Sequence, residues 1–291
     1  NWSDSVGYNQ IIKLADPPPT MEDNDSSSDS SPEEVKPDRQ AKKELKREQR
    51  RQEHAAILLE SKKRPYYNEA ADIAQAEAYY KNIHDPVGKE GYRSLHELLS
   101  STFKHARRRC NIFPIVDRHP DYTLRCVFTG RILQDAEGVH LEKCDEEHSF
   151  PQSFQQGSRK GTGRDMHAIF AASKHAHGTR GNKPFGKISE TVSRDDERGT
   201  VYIGNGIKSY VPRINCGAVC RSTLYIMTCY SNCAAPNKLP QALLDWAVEM
   251  AASEPVTLWE KHRNAELYRL QGNRNPFIDH PEWAKQLDFS G

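Results

Sequence analysis

The sequence predicts an α+β fold: a mainly helical domain with a small β-sheet set among longer helices. Two observations predict it. Apolar residues recur at helical spacing in several segments of 11 residues or more, whereas the alternating segments are short and lie between residues 121 and 203. No internal repeat is visible, which argues against a solenoid or propeller.

The elements follow in order. Residues 1–37 carry Pro17-Pro18-Pro19 and an Asp/Ser run, are poor in apolar side chains, and are expected to form a disordered tail. Residues 38–64 read as a charged helix or linker, with Lys43, Arg47 and Arg51 at helical spacing. From Pro65 to residue 291 the composition is that of a globular domain. Within it, residues 68–83 and 94–109 read as helices, the second with Leu95, Leu98, Leu99 and Phe103 as its apolar stripe. Residues 121–131 and 139–142 read as strands joined through Gly130 and the turn at 135–138. Residues 164–170 read as another strand, 173–179 as a short helix, and 201–203 as a further strand. Residues 217–230, 239–252 and 257–270 read as helices, with Pro255 separating the last two.

Charge is balanced overall but unevenly placed. The chain of 291 residues has 41 Lys/Arg against 40 Asp/Glu, so its total is no polyanion-binding signature. Residues 21–34, however, hold six acids and no base, and residues 36–64 hold eleven Lys/Arg against five acids. That asymmetry points to residues 1–64 as the place where a protein partner or inhibitor would act. No run of 18 apolar residues exists, so no membrane-spanning helix is expected. No apolar leader is visible and the seven cysteines are an odd number at irregular spacing, so intracellular residence with reduced thiols is expected over secretion. Cys216/Cys220 and Cys229/Cys233 read as buried small residues on one helix and not as a zinc site.

The chemistry concentrates between residues 146 and 180. Glu147 stands beside His148, and Asp165, His167, His175 and His177 follow within a hairpin and a helix of sequence. A carboxylate plus imidazoles is equipment for metal-assisted hydrolysis of a phosphodiester: the cation neutralises the phosphate and a histidine removes a proton from water. Successive strand side chains point to opposite faces, so the chain is expected to bend near this junction, with Pro151 favouring the bend. Arg159, Lys160 and Arg164, in and after a glycine-rich stretch, are candidate contacts to a phosphate backbone.

Beyond this chemistry, the chain resembles a known family. Five stretches carry the likeness: Tyr66-Tyr67; Phe128-Thr-Gly-Arg131; Glu147-His148 with Phe150-Pro-Gln-Ser153; residues 165–186, ending Arg180-Gly-Asn182-Lys-Pro-Phe-Gly186; and Trp259-Glu-Lys-His-Arg263-Asn264 through Gln271-Gly-Asn-Arg-Asn-Pro-Phe-Ile-Asp279-His-Pro281. In this order they resemble the bacterial endonuclease I group, nonspecific nucleases with a ββα-metal (His-Me finger) motif. The likeness covers roughly residues 65–287 and leaves the first 64 without a counterpart.

The resemblance implies that His148 is the general base and Glu147 a ligand of one divalent metal ion. The family's second ligand is usually an Asn in the helix after the Asp-Leu-His strand, and that position is His177 here. Imidazole ligates divalent cations too, so the expected ion is Mg or Mn, with Zn or Ni admitted by His177. Arg180 falls where the family has an Arg beside the site, implying a contact to phosphate or to the leaving oxygen, with a salt bridge to Asp165 or Glu147 as the alternative. Asp165 and His167 are expected to orient the strand and the base, or to be purely structural. The block from 271 to 281 reads as scaffold.

The resulting expectation is a metal-dependent endonuclease acting on DNA and/or RNA with little sequence selectivity. The alternative is a catalytically weakened nuclease fold kept for binding nucleic acid or for assembly.

Overall fold

A computed structural model describes residues 39–104, 113–151, 162–230 and 239–290. The chain divides into two compact units, residues 1–64 and 65–291. In the first, helix α1 spans Arg39–Ser61. The tail expected at 1–37 lies outside the described residues.

The second unit is α+β, with short helices and three small antiparallel sheets. Helix α2 (Glu69–Tyr79) starts where the Asn68 side chain accepts from the Ala71 N–H, 3.1 Å away, satisfying a donor the helix cannot satisfy itself. Helix α3 (Gly88–Thr102) buries Tyr92, Leu95 and Leu99 at helical spacing, and the Tyr92 hydroxyl donates to the Met227 carbonyl at 2.6 Å. It begins six residues before the expected start and ends at Thr102; residues 105–112 lie outside the described set. A short helix, α4 (Phe113–Val116), follows.

Helix α6 (Cys216–Cys229) is the centre of this unit: every residue from Gly217 to Cys229 is buried. It packs against α3, against α7 (Gln241–Ser253) and against the short helix α9 (Pro276–Asp279). Helix α8 (Leu258–Gln271) opens with a capping box between Thr257 and Glu260 and stops at Gly272, whose φ of +80° is the left-handed conformation that ends helices. A last short helix, α10 (Trp283–Gln286), packs on α7.

Arg221, Arg263 and Arg274 are buried in this helical layer, each with carboxylate or carbonyl partners. Arg221 donates to both Glu260 oxygens at 2.7 and 2.9 Å. Arg263 pairs with Asp117 and donates to the Met166 and Ile169 carbonyls. Arg274 pairs with Asp72 and Asp279 at 2.8 and 2.7 Å. Removing one partner of such a buried pair costs on the order of 3–5 kcal/mol, because the other charge is left uncompensated. The 271–281 block is therefore scaffold: Asn275 caps α9 and donates to the Arg221 carbonyl, while Asn264 bonds Asp279.

The sheets depart from the expected strands. Strands β1 (Leu124–Arg125) and β2 (Ile132–Gln134) form a two-residue and a three-residue pair around Gly130, whose φ is +73°. Residues 139–142 form no strand, only a bridge between Gln134 and His140. Residues 162–168 form two 3-10 turns, Thr162–Arg164 and Met166–Ala168, because the Asp165 carboxylate captures the His167 N–H at 2.9 Å and holds the chain in a turn. The strand begins later, as β4 (Ile169–Ser173), paired with β3 (Cys144–His148). A third sheet, β5 (Val192–Asp196), β6 (Gly199–Gly204) and β7 (Ile207–Val211), surrounds the expected strand at 201–203.

Candidate active site

Strands β3 and β4 form a hairpin in regular antiparallel register, with Cys144 opposite Ser173, Asp145 opposite Ala172, Glu147 opposite Phe170 and His148 opposite Ile169. Helix α5 (Lys174–Arg180) follows β4 without a linker. Ser173 is its N-cap, its hydroxyl accepting from the Ala176 N–H at 3.2 Å. Gly181, at φ +53°, ends it, and Lys183 donates to the Thr179 and Arg180 carbonyls at 2.8 and 3.2 Å.

Two periodicities bring four side chains together. Asp145 and Glu147 are two apart on a strand and share a face; His177 and Arg180 are three apart on a helix and share a face. The Arg180 Nη1 donates to Glu147 Oε1 at 2.6 Å and its Nη2 to the Ser149 carbonyl at 2.9 Å. The ring of His177 lies between the two carboxylates, with Nδ1 3.3 Å from Asp145 Oδ2 and Nε2 3.6 Å from Glu147 Oε2. The first is a long hydrogen bond. The second is too long for one.

Burial decides the electrostatics. Glu147 is fully buried, which pushes its carboxyl above the ordinary range, while the charge of Arg180 pulls it back. Its Oε1 is satisfied by Arg180, but Oε2 has no hydrogen-bond partner among the described residues. A buried carboxylate oxygen without a donor is costly. A divalent cation would satisfy it: donors about 2.1 Å from one ion stand between about 3 and 4 Å apart, and the observed 3.6 Å lies in that interval. One carboxylate oxygen and one imidazole nitrogen are a donor set for Mn, Zn or Ni as well as Mg. Among the described residues, no group of three or more His, Cys, Asp or Glu side chains converges on one ion, so water and substrate would complete the coordination.

His148 is half-buried at the end of β3. The expected bend between Glu147 and His148 is absent: the ladder continues, with the Ser149 N–H donating to the Ala168 carbonyl at 2.8 Å. Alternation therefore turns His148 to the face opposite Glu147.

Arg180, expected at the phosphate, takes the alternative role. It is buried, both its Nη atoms are engaged, and its guanidinium stacks 4.8 Å over Phe185, so it holds Glu147 instead of facing solvent. Asp165 and His167 touch other partners. Asp165 accepts from the Tyr225 and Tyr230 hydroxyls at 2.6 and 2.9 Å and from Gln271 at 2.9 Å. His167 bonds the Asn273 carbonyl at 3.2 Å, and burial pushes its ring down to about 4, so it is neutral. Both residues fix the turn that launches β4 opposite His148. His175 is exposed and Arg164 is exposed, whereas Arg159 and Lys160 lie outside the described residues.

Asp145 is the site residue that sequence reasoning missed; its signal was the two-residue spacing from Glu147. The described cysteines 126, 144, 216, 220 and 229 are free thiols, and Cys216, Cys220 and Cys229 do share α6; Cys110 and Cys233 lie outside the described residues. No helix among the described residues is long and apolar enough to cross a membrane.

Comparison with known proteins bears on this arrangement. Residues 89–282 match the family model for Endonuclease I. The chain is 27% identical over 240 residues to an extracellular ribonuclease of Bacillus subtilis (strain 168), covering 75% of this chain and 81% of that protein. It is 28% identical over 238 residues to an extracellular ribonuclease of Bacillus amyloliquefaciens, covering 74% and 79%.

Proposed function

The chain belongs to the endonuclease I family, and from that premise we propose that it is a metal-dependent endonuclease hydrolysing phosphodiester bonds of RNA, DNA or both. The β3–β4–α5 unit is read as the ββα-metal motif of such an enzyme, with Glu147 and His177 as ligands of one divalent cation. The observation that carries the reading is the pairing of the unsatisfied Glu147 Oε2 with His177 Nε2 at 3.6 Å. RNA as a substrate is supported by the two relatives, both extracellular ribonucleases.

When bound, the cation neutralises the scissile phosphate and the charge growing on the departing 3′ oxygen. The chain's own residues do the rest. His148 takes a proton from the attacking water, a role that follows from its place in the family pattern. The β3–β4 sheet has two strands, with Glu147 opposite Phe170 and His148 opposite Ile169. Arg180 holds the Glu147 carboxylate in place through its 2.6 Å ion pair. Exposed Arg164, with Arg159 and Lys160, is assigned to the phosphate backbone, which predicts little sequence selectivity.

The test is degradation of plasmid DNA and of RNA with Mg, Mn, Ni or EDTA, comparing wild type with His148→Ala. Cleavage that requires a metal and is abolished in the folded variant supports the reading. A wild type inert with every ion, yet retaining nucleic acid on a gel, replaces it with a weakened fold kept for binding.

A further inference from the structure

We propose that Asp145 is a positioning residue that fixes which nitrogen of His177 is offered to the cation. The inference rests on the reading of Glu147 and His177 as ligands and adds a residue to it.

A histidine differs from an amide ligand in having two ring nitrogens, either of which can carry the single hydrogen of the neutral ring. An amide presents its oxygen with no tautomer to choose. A histidine ligand therefore needs a partner that the amide does not, and Asp145 stands in the place for it. Its Oδ2 is 3.3 Å from His177 Nδ1. An ionised carboxylate only accepts, so the hydrogen of the neutral ring resides on Nδ1. The lone pair is left on Nε2, the atom facing the unsatisfied Glu147 Oε2. This is the carboxylate–imidazole–metal arrangement by which proteins orient a ligating ring and raise its basicity.

Asp145 is not a third ligand of the same ion. It and Glu147 lie against opposite nitrogens of one ring, so the imidazole separates them. Strand spacing explains why the pair is available: residues 145 and 147 point to one face, and their separation brackets a ring lowered from α5. Lys143 Nζ lies 3.9 Å from the other Asp145 oxygen. Asp145 is about one quarter exposed, so its substitution is compatible with folding.

The experiment uses the full chain with Mn(II) as the probe. Calorimetric titration gives the dissociation constant for wild type, Asp145→Asn, Asp145→Glu, His177→Ala and the Asp145→Asn/His177→Ala double variant. Nitrogen-15 spectra of the metal-free protein report the His177 tautomer. Asp145→Asn is expected to weaken Mn(II) binding by about 10- to 100-fold and to convert His177 from the Nδ1–H tautomer to a mixture. Asp145→Glu is expected to recover part of the affinity, and the double variant to bind no more weakly than His177→Ala, since the carboxylate acts only through the ring. If Asp145→Asn binds Mn(II) like wild type with the tautomer unchanged, while His177→Ala loses it, this inference fails and the metal reading survives. If His177→Ala binds like wild type, the imidazole is only an ion-pair bridge between two carboxylates, and both fail.

Discussion

His177 Nε2 stands 3.6 Å from Glu147 Oε2, and that oxygen is buried with no hydrogen-bond donor among the described residues. The two groups come from different elements, one from the second-last residue of β3 and the other from the middle of α5. They meet because the helix follows β4 directly and β4 pairs with β3 in unbroken register. Any shift of the hairpin by one residue would turn Glu147 to the opposite face and put Glu146 or His148 against the helix. The geometry of the site is thus a consequence of strand pairing.

His148→Ala is expected to lower kcat by about 10²- to 10⁴-fold, the usual contribution of a positioned base. Its half-buried place at a strand end predicts an unchanged fold. Rates on RNA and plasmid, with circular dichroism of the same samples, check this. Unchanged turnover in the folded variant would remove the base from the mechanism.

Arg180→Met is expected to destabilise the protein by about 3–5 kcal/mol, because it leaves Glu147 as a buried carboxylate without its counter-charge. Adding Glu147→Gln to it should recover much of that loss while leaving the protein inactive. Denaturant unfolding of the two variants measures the coupling. If Arg180→Met unfolds like wild type, the ion pair does not hold the site.

Asp165→Ala removes an acceptor for the Tyr225 and Tyr230 hydroxyls, the Gln271 amide and the His167 N–H. Hydrogen bonds to a charged group contribute about 1.5–3 kcal/mol each, so the loss of stability should be several kcal/mol. The fraction that remains folded is expected to keep kcat within about tenfold of wild type, an order of magnitude well short of the loss of a positioned base. Thermal melts paired with rates per folded molecule distinguish this from a direct part in the chemistry.

The buried rings of His167 and His262 are both held neutral, pushed from 6.5 down to about 4. Between those values the unfolded chain binds more protons than the folded one, so these two groups stabilise the fold above pH 6.5 and lose that contribution as pH falls towards 4. Buried Asp117, raised by burial to about 6 despite Arg263, acts in the opposite sense as pH rises. The direct check is therefore the ring proton resonances: at pH 5.5 those of His167 and His262 should still be neutral. Titration of either ring near 6.5 would contradict the burial argument.

The helices were legible because apolar periodicity and caps are local signals: Leu95 and Leu99, the Asn68 and Thr257 caps and Gly272 each act within a few residues. The short strands were less legible. Residues 164–170 carry a strand-like composition, yet the Asp165 carboxylate bonds the His167 N–H and bends the chain, a side-chain effect that periodicity does not report. Strands β5 and β7 went unread because they are polar and exposed at many positions, with Arg194, Asp195 and Lys208 among them. In the site, Glu147, His148 and His177 carried readable chemistry. The ion pair of Arg180 depended on which residue lay across the hairpin, and Asp145 depended on a ring orientation that sequence alone does not encode.

The central claim is one divalent ion held between two named atoms, and diffraction from crystals soaked in Mn(II) tests it most directly. A single anomalous peak within bonding distance of both Glu147 Oε2 and His177 Nε2 is the predicted result, lost in His177→Ala crystals. A saturating soak with no peak there, or with manganese bound only elsewhere, would contradict it.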